Sequence, residues 1–214
     1  RRWAPESMCA SDLCYSAAKK LLDDNEVSTN DIDVLLFISQ TADYRIPATS
    51  IELQSKLDLP KSVLAFDINL GCSGFVYGLS MAYSYLLQEG IRNVLLLDGE
   101  TRTRQYSFKD RTTGFIFGDA GVAALIGKDT NMGGSFFSLN SDGSKSDLIK
   151  IESGGYRNPS NLESISEYKD EKGNIRTREH ASMNGADVFN FVLKEIPNNI
   201  RGILEFSENN PKDI

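Results

Sequence analysis

Residues 63–88 read VLAFDINLGCSGFVYGLSMAYSYLLQ, and this stretch decides the fold. Val63-Leu-Ala-Phe66 is a short apolar run of the kind found in a strand buried on both faces. The turn Asn69-Leu-Gly-Cys-Ser-Gly74 follows it, and helical spacing then runs from about Phe75 to Gln88, where Gly90 stops it. A buried strand handing over to a helix through a glycine-bearing turn is the repeating unit of an α/β sheet.

The same alternation extends on both sides. Upstream, Ser11 to Asp24 spaces Leu13, Ala17, Ala18, Leu21 and Leu22 as one helix face, and Val34-Leu-Leu-Phe-Ile38 is a second buried strand. Pro47 is expected to open the helix that carries Ile51, Leu53 and Leu57, since proline suits a first helical position. Downstream, Val94-Leu-Leu-Leu97 and Gly121-Val-Ala-Ala-Leu-Ile126 read as further buried strands. The pattern predicts an α/β sheet, covered on both faces, over roughly residues 11–128. From Asn131 to His180 glycine, serine, asparagine and charges dominate, and Glu163 to Glu179 reads as an exposed excursion. A last helix is predicted from Gly185 to about Leu204, with Val188, Phe189, Val192, Leu193 and Ile196 on one stripe and Pro197 as a kink or break.

Bulk properties narrow the function classes. A net charge of -7 offers no excess of basic residues to neutralise phosphates, which argues against a nucleic-acid-binding protein. No apolar run approaches the length of a membrane span, and the first residues lack an apolar signal core. Three cysteines without paired spacing do not make a disulfide framework, and one histidine is too few for a convincing zinc site. A reducing cytoplasm is the expected setting. The chain begins at Arg1 as if in mid-protein, so a longer parent is expected.

Cys72 is the position with chemical content. A cysteine where a strand meets a helix is expected to feel the unpaired N–H groups and the positive end of the helix dipole, which favour thiolate. Flanking Gly71 and Gly74 permit a sharp turn and keep side chains clear of an approaching carbonyl. Such a sulfur can accept an acyl group from another thioester. A small cysteine buried in a tight turn satisfies the same local pattern, which by itself leaves both readings open. Cys9 and Cys14, among apolar helix neighbours, read as packing residues.

Asn69-Leu-Gly-Cys-Ser-Gly-Phe-Val-Tyr-Gly-Leu79 resembles the active-site segment of β-ketoacyl-acyl carrier protein synthase III. The resemblance continues in order through Arg92-Asn-Val-Leu-Leu-Leu-Asp-Gly-Glu100, Asp110-Arg-Thr-Thr113, Phe117-Gly-Asp-Ala-Gly121 and Met183-Asn-Gly-Ala-Asp-Val-Phe189. It implies a thiolase-like fold, with residues 1–130 as the N-terminal half carrying the nucleophile. Residues 131–182 would be a polar connecting region, and 183–214 the start of a second half. It implies an acyltransferase that loads an acyl group from coenzyme A onto Cys72. The enzyme then condenses that group with malonyl-acyl carrier protein, releasing carbon dioxide and initiating fatty-acid synthesis. The implied partners are acyl-CoA, acyl carrier protein and a second subunit in a homodimer, with no nucleic acid, no membrane and no cofactor beyond the coenzyme A thioester substrate.

By the same resemblance Arg111 matches a contact to the nucleotide end of coenzyme A, where a guanidinium can stack on adenine and pair with phosphate. Phe117, Met183, Gly185 and Phe189 fall where the family lines its substrate tunnel, though each also suits plain core packing. Ile46 sits where a partner subunit closes the acyl pocket. The family's catalytic histidine and asparagine, its first strand and helix, and the tryptophan that sandwiches the base have no match here. Asn210-Pro-Lys-Asp-Ile214 resembles the segment just before that histidine. His180 is out of place for it and reads as a surface or linker residue, and a Cys72–His180 protease-like pair is a weaker alternative. Asn190 stands where many members carry a basic residue for carrier-protein docking, with Lys194 one turn on. The competing functions are a related condensing enzyme or acyltransferase of a polyketide or polysaccharide pathway, and a non-catalytic thiolase-fold subunit.

Overall fold

The structure is a computed structural model and describes residues 2–128, 134–210 and 212. The chain divides into two compact units, Arg1–Arg102 with Gly118–Gly133, and Thr103–Phe117 with Gly134–Ile214. The segments implied by the resemblance, 1–130, 131–182 and 183–214, have bounds of their own beside these. Part of the last segment, at 211, 213 and 214, lies outside the described residues.

The first unit contains α1 (Ala10–Asp24), β1 (Val34–Ile38), α2 (Thr49–Lys56), β2 (Leu64–Ile68), α3 (Gly74–Leu86), β3 (Asn93–Glu100) and β4 (Ala120–Gly127). The strands form one sheet in the order β2-β1-β3-β4. β1 is central, pairing in parallel with β2 (Val34 opposite Leu64) and with β3 (Val34 opposite Val94), while β4 returns antiparallel to β3. Every residue of β1 is fully buried, because side chains of alternate parity enter cores on opposite faces. Leu35 and Phe37 pack with Ala10, Cys14, Ala18 and Leu22 of α1 and Leu53 of α2. Val34, Leu36 and Ile38 pack with Ala82 and Leu86 of α3. Each Val, Leu, Ile or Phe side chain among them contributes about 1.5–3 kcal/mol by leaving water.

Two expectations need correction. The sheet is not closed over at its margins: Leu64 on β2 and Val122 on β4 are each nearly half exposed. Among the described residues both strands are edges of the sheet, and apolar content alone does not separate an edge from a centre. Pro47 does not open α2, which begins at Thr49. The reason lies in β2, where the two Asp67 carboxylate oxygens accept the N–H groups of Thr49 and Ser50, each at 2.8 Å. They satisfy donors that the helix start leaves unpaired.

The second unit holds four two-residue strands, β5 (Ile149–Lys150), β6 (Tyr168–Lys169), β7 (Ile175–Arg176) and β8 (Ser182–Met183), and the long α4 (Gly185–Ser207). β5 pairs with β8 and β6 with β7, both antiparallel. The stretch 163–179 is not merely an exposed excursion, since Ser164, Asn174 and Thr177 are buried. Its polar residues bond to one another and to the 107–112 loop, which is how a polar segment becomes ordered without an apolar core. α4 starts at the Asn184 cap, whose side chain accepts the Asp187 N–H, and continues unbroken through Pro197. None of its described residues is buried.

Candidate active site

The turn between β2 and α3 follows from close contacts at its two glycines. A Cβ on Gly71 would lie 2.6 Å from Gln40 Oε1 and 3.1 Å from Arg102 Nη2. A Cβ on Gly74 would lie 2.5 Å from Ile38 Cγ2, so the first turn of α3 can press against the end of β1 only without a side chain. The Gly74 N–H donates to the Gly71 carbonyl at 2.7 Å, closing the loop around Cys72 and Ser73. Ser73 stands at the N-cap position of α3 without a side-chain cap bond, and Cys72 is one residue ahead of it. Its thiol is free and exposed, which removes the reading of Cys72 as a small buried filler. Cys14, by contrast, is fully buried, and desolvation, with the Asp98 charge adding to it, pushes its thiol up to about 12.

A polar lattice backs this loop, and sequence reasoning did not single it out. Glu100 accepts the Gln40 N–H at 2.8 Å and the Thr41 hydroxyl at 2.7 Å. Arg102 donates to the Gln40 side-chain oxygen and lies 3.9 Å from Glu100. Thr41 Oγ1 accepts the Thr101 N–H at 3.0 Å. Gln40 and Thr41 follow β1, Cys72 follows β2, and Arg102 follows β3. All stand beyond the carboxyl ends of parallel strands, where open α/β sheets place their ligand sites. That topological rule was the available signal for them, and it needs the strand pairing to be known. A depression of ≈ 270 Å³ lined by Ser80, Met81, Ser84, Tyr85 and Gln88 lies along α3 and does not include Cys72.

The other predicted site residues fall on both units. Ile46 belongs to the first and is 83% exposed. Arg111, Phe117, Met183, Gly185 and Phe189 belong to the second. Phe117 stacks on Tyr106 with ring centroids 4.6 Å apart. Met183 lies in β8 opposite Ile149, Gly185 opens α4, and Phe189 is exposed on the first turns of that helix. Arg111 is exposed, its backbone N–H donating to Asn174 Oδ1 at 3.1 Å. His180 is half-buried rather than a surface residue. Its Nδ1 accepts the Thr177 N–H at 3.1 Å and lies 2.9 Å from the Thr177 hydroxyl, and desolvation holds its basicity below the usual range. That ring nitrogen is thus engaged in a local turn. Asn190 is exposed, and Lys194 is paired with Glu195 at 3.3 Å. Among the described residues no His, Cys, Asp or Glu cluster is placed to hold a metal ion, and no helix is long and apolar enough to cross a membrane.

Residues 66–143 match the family described as 3-oxoacyl-[acyl-carrier-protein (ACP)] synthase III, a stretch that contains Cys72, Arg111 and Phe117. The whole chain is similar to the β-ketoacyl-[acyl-carrier-protein] synthase III of Clostridioides difficile, 34% identical over 215 residues, covering 100% of this chain and 62% of that protein. It is 32% identical over 216 residues to the protein of the same name from Fusobacterium nucleatum, covering 100% of this chain and 62% of that one. A crystal structure of a 3-oxoacyl-(acyl-carrier-protein) synthase III superposes over 100% of the chain and 64% of its own length, with a TM-score of 0.95 and 34% identity. Over its whole length the chain is similar to members of the synthase III family. Its fold is accordingly thiolase-like, and the strand, turn and helix around Cys72 are part of that fold. The chain spans about three fifths of the length of these synthase III relatives.

Proposed function

We propose that this chain is the nucleophile-bearing part of a synthase III-type acyltransferase. The Cys72 sulfur attacks the carbonyl of an acyl-coenzyme A. A new carbon–sulfur bond forms as the old one breaks, and coenzyme A leaves as the thiol with the proton. In the second half-reaction the whole protein joins the acyl group to malonyl-acyl carrier protein with loss of carbon dioxide, initiating fatty-acid synthesis. That half-reaction needs donors that stabilise an enolate, and residues 1–214 hold no match to the family's histidine and asparagine motifs. Acyl loading is therefore the step assigned to this chain's own residues. Arg111 is proposed to hold the nucleotide end of coenzyme A. Phe117, Met183, Gly185 and Phe189 are proposed to line the substrate path, and Ile46 to close a homodimeric partner's acyl pocket. Acyl carrier protein is the proposed second substrate carrier and the cytoplasm the proposed setting.

The single observation that carries this reading is the exposed, free Cys72 thiol on a turn where Gly74 leaves no room for a side chain against Ile38. Incubation of the intact protein with acetyl-coenzyme A is expected to add the mass of one acetyl group at Cys72, located by peptide mapping. Cys72→Ser should lower the loading rate by about 10³-fold or more. A protein whose Cys72 is alkylated by iodoacetamide yet takes no acyl group from any acyl-coenzyme A would overturn the assignment.

A further inference from the structure

The second unit contains a buried charge network directly behind Arg111, and the acyl-transfer chemistry above does not account for it. Asp110 has no exposed surface. One of its oxygens accepts the Thr112 N–H at 2.8 Å and the Thr112 hydroxyl at 2.5 Å, and the other accepts Arg176 Nη1 at 2.8 Å. The same Arg176 nitrogen reaches Asp170 at 3.0 Å, and Arg176 Nε donates to the Tyr168 hydroxyl at 3.2 Å. Asp170 also accepts the Asn174 N–H at 2.8 Å and the Asn174 side-chain amide at 3.1 Å. Desolvation opposes ionisation of Asp170, but the bonds from Asn174 and Arg176 outweigh it and hold the carboxyl below its usual range. Asn174 Oδ1 then takes the backbone N–H of Arg111. On the near side, Ile175 N–H donates to the Lys109 carbonyl and Ser107 Oγ donates to the Ile175 carbonyl. The loop is thereby bonded to the β6–β7 hairpin at Ser107, Lys109 and Asp110 and at the Arg111 backbone itself.

Burying an aspartate and an arginine together is a costly way to stabilise a fold, since their desolvation can exceed their attraction. What such a network supplies is a single fixed geometry. The residue at its centre is the exception to the pattern: the Arg111 backbone is held, while its guanidinium is exposed and, among the described residues, has no partner. With its backbone held, Arg111 has its starting point for a phosphate fixed, and only side-chain rotamer freedom remains to be lost on binding.

We propose that the β6–β7 hairpin, through Asn174 and Arg176, is the positioning element that presents Arg111 to the phosphate-bearing end of the acyl donor. This rests on the reading of Cys72 as the acyl acceptor and of coenzyme A thioesters as donors. Asn174 and Arg176 act through Arg111 and do not touch the reacting atoms.

The test compares Cys72 acylation by acetyl-coenzyme A with acylation by S-acetylpantetheine, which carries the same thioester and lacks the nucleotide. Asn174→Ala is expected to raise the half-saturating acetyl-coenzyme A concentration by about tenfold. The maximal rate should hold, and so should the rate with S-acetylpantetheine. In an Arg111→Ala background the same substitution should add nothing, because coupled residues lose their effect together. Should Asn174→Ala fail to fold, Tyr168→Phe carries the test, with a rise of about twofold confined to the nucleotide-bearing donor. Equal loss on both donors, no loss on either, or full additivity with Arg111→Ala would overturn the hairpin's role while leaving acyl transfer intact. Failure of the wild-type protein to accept an acyl group from either donor would overturn the acyl-transfer reading and this proposal with it.

Discussion

Three cysteines of identical chemistry have three fates here, and burial decides between them. Cys14 faces the sheet from α1, where desolvation and nearby carboxylates keep it a thiol. Cys9 precedes α1, with its N–H donating to the Asp12 carboxylate at 2.8 Å, and Cys72 alone is exposed. A second residue-scale effect sits on the same sheet. Burial, with the Glu100 charge adding to it, pushes the Asp98 carboxyl up to about 6. Because its folded pKa lies above the unfolded one, the folded state holds the proton more tightly. The stability this contributes is fully present below about pH 4 and lost as pH rises through about 6. Asp98→Asn should therefore flatten the stability profile between about pH 4 and 6. At pH 7 it should stabilise the protein by about 1 kcal/mol, a figure reduced to allow for solvent screening of a half-buried group. Denaturant titrations across that range check both, and an unchanged slope would contradict the cause assigned.

At the scale of elements, helix and strand identity was legible, and their limits were less so. Val34–Ile38 was read residue for residue because five consecutive apolar side chains bounded by polar ones allow little else. The start of α2 was missed because its cap is supplied from β2, through Asp67, which lies 18 residues from Thr49 and 17 from Ser50. Asp67→Ala should cost about 1–2 kcal/mol, as loss of a helix cap does, with unfolding midpoints as the measure. A neutral result would show that solvent can serve Thr49 and Ser50 equally well. The hairpin Tyr168–Arg176 was missed for a similar reason. Its residues look solvated in sequence, and only their pairing with Asp110 and Arg111 shows that they are structural.

Over the whole molecule, apolar surface is distributed unevenly. α4 presents Phe189, Val192, Leu193, Ile196 and Ile200 on one stripe, all between 43% and 63% exposed. Patches of that kind bind something or associate. The chain of residues 1–214 is expected to self-associate with rising concentration. The pair Leu193→Glu and Ile200→Glu, two turns apart on that stripe, should weaken association by at least about tenfold. Sedimentation velocity over a concentration series checks this, and an unaltered distribution for the double variant would place the sticky surface elsewhere. Of the candidate site, Cys72 and its glycines were legible from local pattern and resemblance together. Gln40, Glu100, Arg102, Asn174 and Arg176 were not, since each acts on a residue more than thirty positions away or from within a polar stretch.

Sequence alone determined the α/β class, the order of strands and helices in the first unit, and the cysteine proposed to carry the chemistry. Those follow from side-chain period and from short turns, whose physics is local. Tertiary structure decided which strands are edges, where α2 begins, and that Cys72 is open while Cys14 is sealed. It also decided that a polar stretch holds the Arg111 loop. Each of these depends on burial and on partners distant in the chain, and no local window of sequence contains them.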